Sequence, residues 1–182
     1  MSRIEKEAKD QIKQLPKADL VEIVIKMAQQ NKSVYDFVLA NYLDKSNGES
    51  DLFEEAKADL NRFFFKSFKG FSQQLQSANM ISACVRRINE FSKICKNKSL
   101  EADLLMFVLD EVFSYSPKNF GTCFTAFDYK TGLLLKRIIT IIQTKVHPDF
   151  KLNYQSKVNQ YLDMMHCTSD HLNTIYSLPK SV

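Results

Sequence analysis

The chain has 182 residues, 45% of them apolar and 25% charged, with a net charge of +4, 14 Phe, 7 Tyr and no Trp. That length holds one domain or two small ones, and so much aromatic content with so little net charge excludes a disordered chain. Gly and Pro number only four each, too few for the turns of an all-β or α/β protein. The expectation is an all-α fold, over about 60% helix, with no sheet.

Helical periodicity recurs along the chain. Over residues 3–15, Ile4, Ala8, Ile12 and Leu15 make a narrow stripe on a charged segment, the pattern of a terminal helix resting on one neighbour. Pro16 breaks it and opens a second helix over 17–30. The apolar arc of that helix (Leu20, Val21, Ile23, Val24, Ile25, Met27, Ala28) covers more than half its circumference, as in a helix sandwiched between two others. A third helix is expected over 33–44 with Val34, Phe37, Val38 and Tyr42 inward. Residues 45–50, KSNGES, read as a loop, with Ser50 or Asp51 capping a fourth helix over 51–69. Its apolar residues, Leu60, Phe63, Phe64 and Phe68, share one arc with Phe71.

The polar stretch 70–79 reads as a short helix or a kinked linker. A fifth helix over 80–97 carries Ile81, Cys84, Ile88, Phe91 and Cys95 in one stripe. The sixth, over 99–114, is apolar nearly all round except for a strip of Asp103, Asp110 and Ser114, and should be the buried spine. Residues 116–119 form a turn. A short helix over 120–130 is interrupted by Thr131-Gly132, and a strong amphipath over 133–146 is ended by His147-Pro148. A last stripe runs from Tyr154 through Leu172 to Tyr176, and the tail 179–182 should fray.

About eight helices with short connections make an antiparallel helical-hairpin array. The organisation expected is a single all-helical domain over 1–178, with an N-terminal three-helix segment at 1–45 and a main array at 51–178. The tetrapeptides KADL at 17, KADL at 57 and EADL at 101 recur at a HEAT- or armadillo-like interval, which raises an α-α superhelix as an option. The second of them falls inside a helix, out of phase with the others.

The order of landmarks is also familiar. A charged first helix, then LPKADLVEIVIKMAQQNKSVYDFV, DLFEEAK, INEFSKICKN and LEADLLMFVLDEV resembles an uncharacterised bacterial all-helical family, a domain of unknown function. The resemblance spans Ile4 to Tyr176. It implies a bacterial, cytoplasmic, all-helical single domain, and it implies no activity, ligand or catalytic residue.

The N-terminus is charged from its third residue, and no uncharged stretch is both long and apolar enough to span a bilayer. The cysteines at 84, 95, 123 and 167 form no framework. Cys84 and Cys95 lie about 16 Å apart on one predicted helix, too far to bridge. Reduced thiols in the cytoplasm, and no membrane partner, are the economical reading.

Chemistry-bearing patterns are few. His166, Cys167, Asp170 and His171 form two i,i+4 pairs if the last helix is continuous, the spacing at which side chains share a metal; a kink or helix restart is the competing reading. No nucleophile elbow and no Gly-rich phosphate loop occurs. Asp103, Asp110 and Ser114 either line a groove or meet basic partners, for which Arg87 and Lys136 are candidates. Residues 1–60 carry nine Lys and Arg against twelve Asp and Glu, and residues 61–182 carry sixteen against nine. Arg86, Lys93 and Lys96 on the fifth helix, with Lys136 and Arg137 on the 133–146 helix, would form a modest basic patch if their faces abut. Phe65 falls at the edge of its arc and is the candidate contact with a partner. The leading expectation is therefore a non-enzymatic interaction module, binding a protein partner or itself, without cofactor. The alternatives are a weak nucleic-acid-binding or regulatory accessory and a metal-dependent enzyme on a helical scaffold.

Overall fold

The computed structural model describes residues 4–115 and 117–182. Arg3 and Ser116, expected in the first helix and in the 116–119 turn, lie outside the described residues. The protein is all-α: 81% of the described residues are helical, in nine α-helices and two short helical turns, and no strand occurs among them. In chain order these are α1 (Lys6–Gln14), α2 (Lys17–Gln30), α3 (Lys32–Val38), α4 (Lys45–Phe64), α5 (Gln73–Ile94), α6 (Lys98–Tyr115), α7 (Ala126–Thr144), α8 (Pro148–Thr168) and α9 (Leu172–Ser177). One π-helical turn (Leu39–Leu43) extends α3, and one 3-10 turn (Pro117–Asn119) follows α6. The chain forms two compact units, Met1–Gly48 and Glu49–Val182.

In the first unit α2 packs against α3. Asn31 caps α3, its Oδ1 accepting from the Ser33 N–H at 3.0 Å and the Ser33 hydroxyl at 2.7 Å. The expected loop at 45–50 is instead the opening of α4. Asp44, not Ser50 or Asp51, holds its start: Oδ1 accepts from the Asn47 N–H at 3.3 Å and Oδ2 from the Asn47 side chain at 2.8 Å. Gly48 makes this start compatible with the turn before it, because a Cβ there would lie 3.0 Å from the Ala40 Cα. A glycine that reads as a loop signal in sequence here marks a close backbone approach.

In the second unit α6 is the buried spine, packed between α5 and α7. Leu104, Leu105, Val108, Leu109 and Val112 are fully buried, against Ile81, Ile88 and Phe91 of α5 and Leu134, Leu135 and Ile138 of α7. Val158, Leu162 and Met165 of α8 complete the core. Helix α5 begins at Gln73 because the Ser72 hydroxyl accepts from the Leu75 N–H at 3.2 Å, so residues 73–79 of the polar stretch open α5 and residues 70–72 precede it outside the helix. Helix α4 stops at Phe64, so Phe71 leaves the expected arc: it is largely exposed and meets Phe124 edge-on at 5.3 Å.

Helix α7 runs straight through Thr131-Gly132, where an interruption was expected. Both residues are buried, because α9 packs on α7 at this point. Helix α7 stops at Thr144, before the expected end at His147-Pro148; the His147 ring instead caps α8, with Pro148 at the first helical position. The C-terminal residues are held rather than frayed. The Val182 N–H donates to Asn159 Oδ1 at 2.8 Å, and the side chains of Gln155 and Asn159 donate to the Val182 carbonyl.

Candidate functional site

Helix α2 is the most apolar surface element of the protein, and none of its residues is buried. Val21, Ile23, Val24, Ile25 and Met27 each remain 43–52% exposed. The sandwiched helix expected from its wide apolar arc is thus absent; only the Leu20 and Ala28 side of the arc is partly covered. Its polar strip is self-satisfied, with Lys26 and Glu22 paired at 2.6 Å. Helix α1 repeats the pattern: it buries nothing, and Ile4, Ile12 and Leu15 around it are exposed.

Among the clefts of the second unit, two set at least a pair of cations beside apolar walls. The first, of about 340 Å³, lies between α5 and α7 and is walled by Ile81, Val85, Tyr129, Leu133 and Leu134. Lys130 and Arg137 are the cations at its margin. Arg137 is committed to Glu101, with Nη2 2.6 Å from Oε1, and also donates to Asn89 at 2.6 Å. Glu101 is 3% exposed. Burial alone would raise its pKa, but hydrogen bonds and charge from Lys98 and Arg137 outweigh that and hold its carboxyl below the ordinary value. Lys130 donates to the Ala78 carbonyl at 3.1 Å, and burial pushes its pKa down.

The second cleft, of about 490 Å³, is lined by Phe63, Phe68, Lys66, Lys69, Arg86 and Arg87, with Glu90 the acid among them. Arg87 is neutralised by Asp59 at 2.6 Å. Asp59 is held below the usual carboxylate range because the Arg87 and Arg62 contacts exceed the opposing effect of burial.

The residues singled out in sequence fall as follows. The acidic strip on α6 does not form a groove. Asp103 accepts from the Tyr154 hydroxyl at 2.6 Å, and Asp110 accepts from Lys157 at 2.6 Å and from the Tyr161 hydroxyl. Both carboxylates therefore anchor α8 to α6, while Ser114 is exposed. Arg87 and Lys136, the expected partners, are not used; the helix that supplies the partners is one that periodicity could not place beside α6. Burial, and then the neighbouring carboxylates, push the phenols of Tyr154 and Tyr161 up.

Helix α8 ends at Thr168, and Ser169 is extended, so His166–Asp170 and Cys167–His171 are not pairs on one helix. His166 Nε2 lies 3.1 Å from the Pro179 carbonyl, Cys167 is exposed, and His171 caps α9 through Nδ1. Among the described residues no group of three or more His, Cys, Asp and Glu is placed to hold a metal ion. The α5 and α7 faces of the expected basic patch do meet, at Arg137 and Asn89. Arg137 is spent on Glu101 there, and Arg86 belongs instead with Lys66 and Lys69; Lys93, Lys96 and Lys136 are exposed. Phe65 is 85% exposed.

Sequence reasoning missed Asp128. It is fully buried, and its Oδ2 accepts from the Ser169 hydroxyl at 2.7 Å, the Asp170 N–H at 3.2 Å and the Gly121 N–H at 3.3 Å. One carboxylate oxygen thus ties the loop before α7 to the break between α8 and α9. Gly121 is obligatory there: its φ is +64°, and a Cβ would lie 2.4 Å from the Thr168 carbonyl oxygen. No family model matches the chain, and neither a curated protein nor a solved structure is matched by it.

Proposed function

We propose that the protein is a non-enzymatic helical interaction module whose N-terminal unit docks a protein partner through the apolar face of α2. The observation that supports the reading most is that Val21, Ile23, Val24, Ile25 and Met27 are about half exposed and no residue of α2 is buried. Each such side chain retains roughly half of the 1.5–3 kcal/mol available from its burial. A partner helix or groove that covers the face recovers that free energy. Partners of this kind read an amphipathic helix through anchors at i, i+3, i+4 and i+7, and Leu20, Ile23, Val24 and Met27 have that spacing.

The test is an Ile23→Ser/Ile25→Ser double variant. Neither side chain is part of a core, so the melting temperature should stay within about 2 °C of the wild type. Sedimentation of the purified chain reports self-association, and quantitative affinity purification from the native cell reports a heterologous partner. The variant should lose whichever association the wild type shows. Unchanged association, or a variant that fails to fold, contradicts docking through α2.

A second reading, weak binding of nucleic acid, is favoured by the cleft where Lys66, Lys69 and Arg86 surround the edge-to-face pair Phe63 and Phe68. Cations beside aromatic faces suit single strands. Retardation of a random single strand at low salt, abolished by Lys66→Glu/Arg86→Glu, would establish it. No retardation at low salt removes it.

A further inference from the structure

We propose that the cleft between α5 and α7 binds a small amphipathic monoanion, an alkyl or aryl carboxylate, with its hydrocarbon along Ile81, Val85, Leu133 and Leu134 and its head group on Lys130. The shape of the site comes first. At about 340 Å³ it falls within the usual range of small-molecule sites, roughly 300–1,000 Å³, and it has their composition: apolar walls with few polar groups. Ile81 and Leu134 belong to the core of the unit, whereas Val85 is only partly covered and Leu133 is exposed. The wall is therefore built on two packed helices, and its outer rim is apolar surface without a cover.

Charge selects the ligand. Lys130 is half-buried at the margin of this apolar wall, and among the described residues it makes no ion pair. Its ammonium spends one donor on the Ala78 carbonyl and has two more to offer. The other cation at the cleft, Arg137, is already matched by Glu101. Glu101 is shared between Arg137 and Lys98, and none of the residues that line the cleft is an acid that could offset Lys130. A neutral hydrocarbon would leave that ammonium partly desolvated and unmatched. A phosphate dianion would find one available cation where such groups take several charge-assisted bonds. A single carboxylate on a hydrocarbon body matches both the wall and the charge. Burial already disfavours the charged form of Lys130, and a bound carboxylate relieves that cost.

The inference is independent of docking through α2, because the residues involved lie in the second unit. The probe is octanoate, with octanamide as its uncharged counterpart, titrated calorimetrically below micellar concentrations. The wild type should bind octanoate saturably, at one site, and more tightly than octanamide. Lys130→Met should weaken octanoate at least tenfold while leaving octanamide unchanged, and Lys130→Arg should retain octanoate. Val85→Trp should fill the cleft and weaken both probes, with a circular dichroism spectrum checking that each variant is folded. Absence of saturable octanoate binding at millimolar concentration overturns the proposal. So does a Lys130→Met variant that binds octanoate as tightly as the wild type. The Ile23→Ser/Ile25→Ser variant should bind octanoate normally, so failure of the docking reading and failure of this one are distinguishable.

Discussion

Gly132 lies in the interior of α7, where replacing glycine by alanine ordinarily stabilises a helix by about 1 kcal/mol. Here the packing reverses the sign. A Cβ at position 132 would lie 1.9 Å from the Thr174 Cγ2 and 3.3 Å from its Cβ, where carbon atoms in contact need about 3.5–4.0 Å. Thr174 is buried and cannot swing away freely. Its hydroxyl lies 2.7 Å from His171 Nδ1, and its N–H donates to the same atom at 3.2 Å, which is what starts α9. Relief requires α9 to move off α7 by more than an ångström, an overpacking strain that typically costs about 1–3 kcal/mol. Set against the propensity gain, Gly132→Ala should destabilise by up to about 2 kcal/mol, a fall in melting temperature of up to about 8 °C. Thr174→Ser removes the clashing methyl, at a cost of about 0.8 kcal/mol. In that background Gly132→Ala should become neutral or stabilising, so the double-mutant cycle should show a coupling of at least about 1 kcal/mol. Thermal and urea melts followed by circular dichroism measure all four proteins. A stabilised Gly132→Ala, or effects that simply add, would refute the close approach of α9 to α7.

Two further outcomes follow from buried groups. Glu101→Gln leaves Arg137 and Lys98 without their anion; because Arg137 keeps a quarter of its side chain exposed, the cost should be about 2–4 kcal/mol, reduced from the roughly 3–5 kcal/mol of a fully buried pair. The pKa of Glu101 is depressed in the fold, so its contribution is full above the unfolded value of about 4.3 and is lost as pH falls through the folded value; a pH series of melts should show a shallower acid limb for the variant. Thiol titration should find Cys123 and Cys167 reactive in the native protein, with Cys84 and Cys95 reacting only after denaturation, since both are buried and desolvation pushes the Cys84 thiol up to about 12; rapid native reaction of all four would contradict the packing of α5.

The helical class was legible because it depends on local quantities: scarce glycine and proline, and apolar residues spaced for one face of a helix. The same spacing identified α6 as the spine, since a helix apolar on nearly every side has to be enclosed. Cys84, Ile88 and Phe91 could be assigned inward for the same reason. Chain punctuation was less secure. Gly132 and Gly48 carry the same signal as loop glycines, yet each sits where another segment approaches the backbone, and that approach is a property of the packed molecule. The i,i+4 pairs among His166, Cys167, Asp170 and His171 presupposed a continuous helix, whereas the Asp128 carboxylate, forty residues away, holds the break at Ser169.

The candidate sites divide along the same line. The exposed apolar arc of α2 is written in its sequence, but whether a neighbour covers it is not, because amphipathy states that a face seeks cover without naming what covers it. Asp103 and Asp110 were recognisable as a polar strip on a buried helix, and only the packing of α8 turned them into anchors for Tyr154, Lys157 and Tyr161. The cleft that sets Lys130 among Ile81, Val85 and Leu134 joins residues some fifty positions apart. Local sequence determines which face of each helix is apolar and where helices prefer to start. Which faces meet, and which lysine is left beside an apolar wall without a carboxylate, is decided by long-range packing, because contacts between distant segments carry no local periodic signal.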